Sequence, residues 1–168
     1  MNLFAPSLLD KLLATDVDAQ GRGTTPRMSV EQVKESVARD IETLLNARPG
    51  FEPAQLGSYP HVARSMLTFG LTDITSLSVA SDRDRLRITE AIRRSLSDHE
   101  QRLVQVEVTV TDSVEVGGGL RFSIRAKLKL KLTPSTEPVA FDAVLHPGSN
   151  RYAVSRSRPR AVSPAAAA

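Results

Sequence analysis

The residues of this chain that could do chemistry are few and scattered. Its three histidines, His61, His99 and His146, stand far apart, and no pair has the His-x-x-His spacing that would set two imidazoles on one helix face. There is no cysteine. A zinc cluster therefore lacks its usual donors, and a disulfide framework, an iron–sulfur cluster and a thiol nucleophile are excluded. Asp98 and Glu100 are close in sequence. Glycoside hydrolysis, however, needs two carboxylates facing each other across a cleft, and adjacency along a chain does not make one. The run Gly117-Gly118-Gly119 lies between two segments of strand character and opens no helix, so a hairpin loop is expected there and no phosphate cradle. No Gly-x-Ser-x-Gly elbow and no nucleotide-binding loop is present. The expectation is a protein that is not an enzyme and uses no cofactor and no metal.

Groups that could bind are easier to find. Arg121, Arg125, Lys127, Lys129 and Lys131 share one parity and so would share one face of a strand. Such a face could meet phosphates, but sheets that bind RNA usually carry stacking aromatics, and none of the alternate residues on this face is aromatic. A solvated face, an edge kept from aggregating by lysines, and a surface docking onto an acidic protein remain as the other readings. Near the start, Leu8, Leu9, Leu12 and Leu13 recur at helical spacing after Pro6, a residue suited to a first helical turn. A short amphipathic helix of this kind either folds back on its own domain or is offered to a partner groove.

The elements that must position these groups read clearly. Apolar residues make up 40% of the chain and aromatics 4%, so the core has to be aliphatic. Ser29 is a plausible N-cap for a helix over 29–48, with Val30, Val33, Val37, Ile41, Leu44 and Leu45 on one stripe and Pro49-Gly50 as the stop. Phe51 to Tyr59 reads as loop, and His61 to Thr68 as a short helix stopped by Phe69-Gly70. Ser81 or Asp82 should cap a second long helix to about Asp98, with Ile88, Ile92 and Leu96 buried and Leu86 and Ala91 widening the stripe.

The period then changes from 3.6 to 2. Val104, Val106, Val108 and Val110 alternate with polar residues, then Leu120 to Leu132 alternates with the cations, and Val139, Phe141, Ala143 and Leu145 form a third strand. Tyr152 to Arg156 adds a short fourth. Leu120 to Leu132, about 13 residues, is long for a strand and is expected to run past its hairpin partner. The resulting expectation is an α+β fold: helices packed on one face of a three- to four-stranded antiparallel sheet with a long hairpin. The layout expected is an N-terminal docking helix at 1–14, a flexible linker at 15–28, the α+β domain at 29–156 and a disordered tail at 157–168. Neither a signal peptide nor about 20 consecutive apolar residues is seen, so a cytoplasmic protein is expected.

Several segments together resemble one family. Ser7-Leu8-Leu9-Asp10-Lys11-Leu12 resembles the Ser-Leu-Leu-Asp-Arg-Leu element at the start of TssE, the baseplate subunit of type VI secretion systems, within the wider phage baseplate wedge family labelled "lysozyme-like". Arg39 to Arg48 is similar to its helix ending in Leu-Leu-Asn-Thr-Arg, and Ser65 to Asp73 to its Asn-Tyr-Gly-Leu-Pro-Asp stretch. Glu100-Gln101-Arg102-Leu103, after the helix with Ile88 and Ile92, resembles the segment with the family's Glu-Pro-Arg signature; Gln101 stands where the proline would be. The resemblance spans roughly residues 3 to 146. It implies a structural part of a contractile machine that joins wedge proteins and starts the tail sheath by strand sharing, with other wedge subunits and sheath proteins as partners. The residues expected to meet them are Leu8, Leu9, Leu12, Glu100, Arg102, Arg125, Lys127, Lys129 and Lys131. Glu100 and Arg102 would either brace the helix-to-strand corner internally or anchor a neighbouring subunit. By parity with Val104, both are expected at the end of the packed face. A nucleic-acid-binding module is the alternative, with a peptidoglycan glycosidase behind it.

Overall fold

The computed structural model of the chain describes residues 28–74, 77–78, 81–111, 120–130, 136–146 and 148–157. The segment bearing Leu8, Leu9 and Leu12, the expected linker up to residue 27, Gly117 to Gly119, Lys131 and Leu132, and the expected tail from residue 158 lie outside the described residues.

The first helix, α1 (Val30–Asn46), begins with a reciprocal capping box. The Ser29 hydroxyl accepts from the Gln32 amide at 3.3 Å, and the Gln32 side chain accepts from the Ser29 amide at 2.8 Å. Two of the orphan donors of the first turn are thereby satisfied. Val37, Ile41, Leu44 and Leu45 are fully buried, and Val33 packs against them. The chain leaves the helix at Ala47, short of Arg48, whose α conformation Pro49 disfavours.

Between the helices the expected single helix over 61–68 is two 3-10 turns, Val62–Arg64 and Met66–Thr68, with a third at Pro53–Leu56 inside the expected loop. Ser65 is the break. It is extended, and its hydroxyl donates to the Val62 carbonyl at 2.7 Å and accepts from the Leu67 amide at 3.3 Å, so it offers the backbone a substitute for helical bonds. Gly70 then latches the loop to the end of α1. Its φ is +132°, and a Cβ there would lie 2.7 Å from the Ala47 carbonyl oxygen. That approach lets the Leu71 amide donate to the same oxygen at 3.1 Å, and Leu71 is fully buried.

The second helix, α2 (Asp82–His99), is capped by Ser81 and carries Asp82 and Asp84 in its first turn and His99 in its last, all three placed favourably for the helix dipole. Ile88, Ile92 and Leu96 are buried as the stripe requires. Leu86 is not part of that stripe: it is 70% exposed, because the buried stripe is confined to the face that meets the sheet.

Four strands follow as an antiparallel meander in the order β1-β2-β3-β4: β1 (Leu103–Thr111), β2 (Leu120–Lys129), β3 (Thr136–His146) and β4 (Arg151–Arg156). The inner face carries Phe122, Ile124, Ala126 and Leu128 of β2, Val139, Phe141, Ala143 and Leu145 of β3, and Tyr152 of β4. Both helices lie on this face, α2 against β1 and α1 against β3 and β4. The fold is therefore α+β, two helices covering one side of a four-stranded antiparallel sheet.

Two expectations about the strands need correcting. Val104 does not belong to the packed face; Leu103 does, being 4% exposed and opposite the buried Leu128, while Val104 faces Lys127. The register shifts between Val104 and Glu107, and Gln105 sits there with φ of 54°. This is a β-bulge, and it flips the parity so that Val106, Val108 and Val110 face inward beyond it. Nor does β2 overrun its neighbours: the strand ends at Lys129, Leu130 is outside it, and its whole length is paired with β3 on one side while β1 pairs with it on the other. A strand held on both sides cannot serve as a projecting ribbon.

Candidate functional site

Glu100 and Arg102 meet at the corner where α2 turns into β1. Glu100, only 8% exposed, donates its amide to the Leu96 carbonyl and ends the helix. Its carboxylate takes a forked pair of bonds from Arg102, Nε to Oε1 at 2.8 Å and Nη2 to Oε2 at 2.5 Å. The same Nη2 donates to Asp40 Oδ2 of α1 at 2.5 Å. The Arg102 carbonyl accepts from the Lys129 amide at 2.8 Å. One arginine thus ties α1, the end of α2 and the end of β2 together. Burial works to lower the Arg102 pKa, but the bonds from Glu100 and Asp40 outweigh it and hold the guanidinium above its ordinary value. Asp40 is a member of the corner that sequence reasoning did not single out. Its signal was available: it stands three residues after Val37 and four before Leu44, within the apolar stripe.

The sheet has two outer strands, and they are treated differently. In β4 the Tyr152 amide donates to Asn46 Oδ1 at 2.9 Å and the Tyr152 carbonyl accepts from Asn46 Nδ2 at 2.8 Å. The Val154 amide donates to Glu42 Oε2 at 2.8 Å. Two side chains from the last turns of α1 therefore occupy the edge groups of β4, which would otherwise be free to pair with another chain. Arg156 adds an ion pair with Glu31. On the other side, no described strand lies beyond the outer edge of β1. The inward-facing Val106, Val108 and Val110 are only half-buried there, whereas Phe122 and Ile124 across from them on β2 are fully buried.

Arg125, Lys127 and Lys129 lie on the opposite, uncovered face of the sheet, along its inner strand β2. They are well separated from the Glu100–Arg102 corner in role: the corner is half-buried and internally paired, and the cations are exposed. Lys131, Leu8, Leu9 and Leu12 fall outside the described residues.

A groove of about 540 Å³ runs between α2 and the 49–72 loop, with Leu86 and Ala91 among its lining residues. It contains Glu52, Glu90 and Asp98. Glu90 is forked to Arg93 at 2.8 and 2.6 Å, and Asp98 lies 3.5 Å from Arg64 Nε. Asp98 lines this groove, whereas Glu100 is held in the corner by Arg102. The two carboxylates that a glycosidase reading would pair are thus separated by their neighbours. Among the described residues there is no group of acidic and histidine side chains placed to hold a metal ion, and no helix is long and apolar enough to cross a membrane.

The described residues form a helix-covered antiparallel sheet with one edge strand held by α1 and a corner braced by ion pairs. Residues 31–132, more than half of the chain, match the family model described as baseplate wedge protein gp25. The chain belongs to this family, and its role is that of a structural baseplate component. The match takes in α1, α2, the corner, β1 and β2; all of β3 and β4 lie past its end. Comparisons with curated proteins and with solved structures find no match.

Proposed function

We propose that this protein is a non-enzymatic cytoplasmic baseplate part of a type VI secretion machine, joining wedge neighbours and starting the sheath by accepting a strand at β1. The observation that carries the reading is the asymmetry of the sheet. Asn46 and Glu42 close β4, while among the described residues no strand lies beyond β1 (Leu103–Thr111), whose three inward valines are only half-covered. An added strand would satisfy the backbone groups and cover Val106, Val108 and Val110, main-chain bonds supplying affinity and alternate apolar side chains the register. The bulge at Gln105 ends the regular ladder near the corner and so limits where that strand stops. Leu8, Leu9 and Leu12 supply a second, independent attachment to a wedge neighbour, and the braced corner with Glu100 and Arg102 presents its surface to a third.

Proline scanning tests the site of strand addition. Of two adjacent residues such as Thr109 and Val110, one amide points at β2 and the other at the open edge. Proline at the outward one removes a donor for the incoming strand and leaves the β1–β2 ladder intact. One of Thr109→Pro and Val110→Pro should keep its melting temperature yet form no sheath in the host, scored by imaging a fluorescent sheath protein. Normal sheath formation by the stable proline variant would remove β1 as the acceptor.

A further inference from the structure

We propose that the outer face of the sheet is a second docking surface, on which Arg125, Lys127 and Lys129 read an acidic stripe of a neighbouring protein; this deepens the baseplate reading by giving one neighbour's surface a chemistry. The three side chains stand on alternate residues of β2, about 7 Å apart at each step. None of them has an ion pair or a hydrogen bond from its side chain among the described residues. This holds even though Glu107 is the register partner of Arg125.

The usual reason for lysines on a strand does not apply here. Edge strands carry them to repel other edges, but β2 is paired with β1 on one side and β3 on the other. A file of like charges on an inner strand opposes folding through mutual repulsion, which Glu107 across from Arg125 offsets at one end only.

The surroundings select among anionic partners. Lys127 is flanked by Val104 and Pro138, and Arg125 has Ala140 on its β3 side. These small or apolar neighbours suit contact with a protein surface. A nucleic-acid chain would find no aromatic on the described part of this face to stack a base. A protein segment with carboxylates about 7 Å apart and uncharged residues between them, as in an extended chain with Asp or Glu at alternate positions, matches both the cations and the gaps.

The test uses the full chain and two probes, a synthetic peptide of alternating Glu and Thr and a 20-base-pair DNA duplex, titrated by fluorescence anisotropy at two salt concentrations. The chain should bind the peptide more tightly than the duplex and lose at least tenfold in affinity on R125E/K127E/K129E, with the fold retained by circular dichroism at the assay temperature. Peptide binding that survives the triple reversal, absence of peptide binding, or preference for the duplex would each overturn the proposal. The stable β1 proline variant separates this surface from strand addition: it should keep peptide binding in full, so that failure of either idea is seen without the other. In the host, a photo-cross-linking residue at Lys127 should label peptides rich in Asp and Glu, and labelling of acid-poor peptides would count equally against the assignment.

Discussion

Replacing Arg102 with alanine should cost the domain a substantial part of its stability, and the size follows from the corner's geometry. The substitution removes a forked pair of bonds to Glu100 and a third to Asp40, and it leaves the Glu100 carboxylate, on a residue 8% exposed, with the backbone amide of residue 102 in place of its ion pair. Breaking a buried pair from one side costs about 3–5 kcal/mol. The Arg102 and Asp40 side chains keep 23% and 24% of their exposure, so water recovers part of the loss and about 2–4 kcal/mol is expected. For a chain of this size that corresponds to a fall of roughly 5–14 °C in melting temperature. Arg102→Lys should fall between, because an ammonium cannot fork onto Glu100 while also reaching Asp40. A double-mutant cycle with Glu100→Gln and Arg102→Met should then show a coupling of at least about 1 kcal/mol, which only a direct interaction produces. Differential scanning calorimetry reads all of these. A drop under about 2 °C for Arg102→Ala, with capture of wedge partners abolished, would show that the corner serves a neighbour and contributes nothing to the domain's own stability.

Asn46→Ala should open the closed edge. It removes both side-chain bonds to Tyr152 and should destabilise by about 1–3 kcal/mol, with concentration-dependent self-association appearing in light scattering where the parent chain shows none. Gly70→Ala forces a methyl to within 2.7 Å of the Ala47 carbonyl at a φ that side chains avoid, so thermal melts should report at least about 2 kcal/mol of lost stability. Tyr152→Phe should be neutral or stabilising by up to about 1 kcal/mol, since the buried hydroxyl has no partner among the described residues and burial pushes its pKa up; a large loss of stability would reveal a partner for it.

The elements were legible where local chemistry decides them. Ser29 with Gln32 three residues later spells a helix start, Ile88, Ile92 and Leu96 spell a buried stripe, and the period-2 runs spell strands that form as expected. What escaped were features decided by distant partners. Gln105 carries no glycine or proline signal, yet a bulge places it at positive φ and shifts Val104 off the packed face. Alternation continued to Leu132, but pairing stops β2 at Lys129, and only the register with β1 and β3 shows that the strand is internal. Asn46 and Glu42 look like ordinary polar helix residues until β4 is laid beside them. Family resemblance named the kind of machine part without saying which edge is open.

On the proposed reading, the asymmetry of the edges bears on how such a part could start an assembly without adding copies of itself. A sheet with two open edges can add a copy of itself at either side, and each addition exposes a fresh edge. Here α1 spends polar groups of its last two turns, Glu42 and Asn46, on shutting β4. On the proposed reading, growth through the sheet is thereby confined to the β1 side and needs a strand brought by a different protein. The corner at Glu100 and Arg102 fixes β1 against α1 and α2, so the acceptor edge is held at a set angle to the rest of the domain. Without the family proline, that angle depends on the ion pairs in place of a locked φ at residue 101. Gln101→Pro should therefore narrow the effect of Arg102→Ala on the β1 acceptor, and sheath formation rescued in the double variant would trace the function of the corner to the orientation of the open edge.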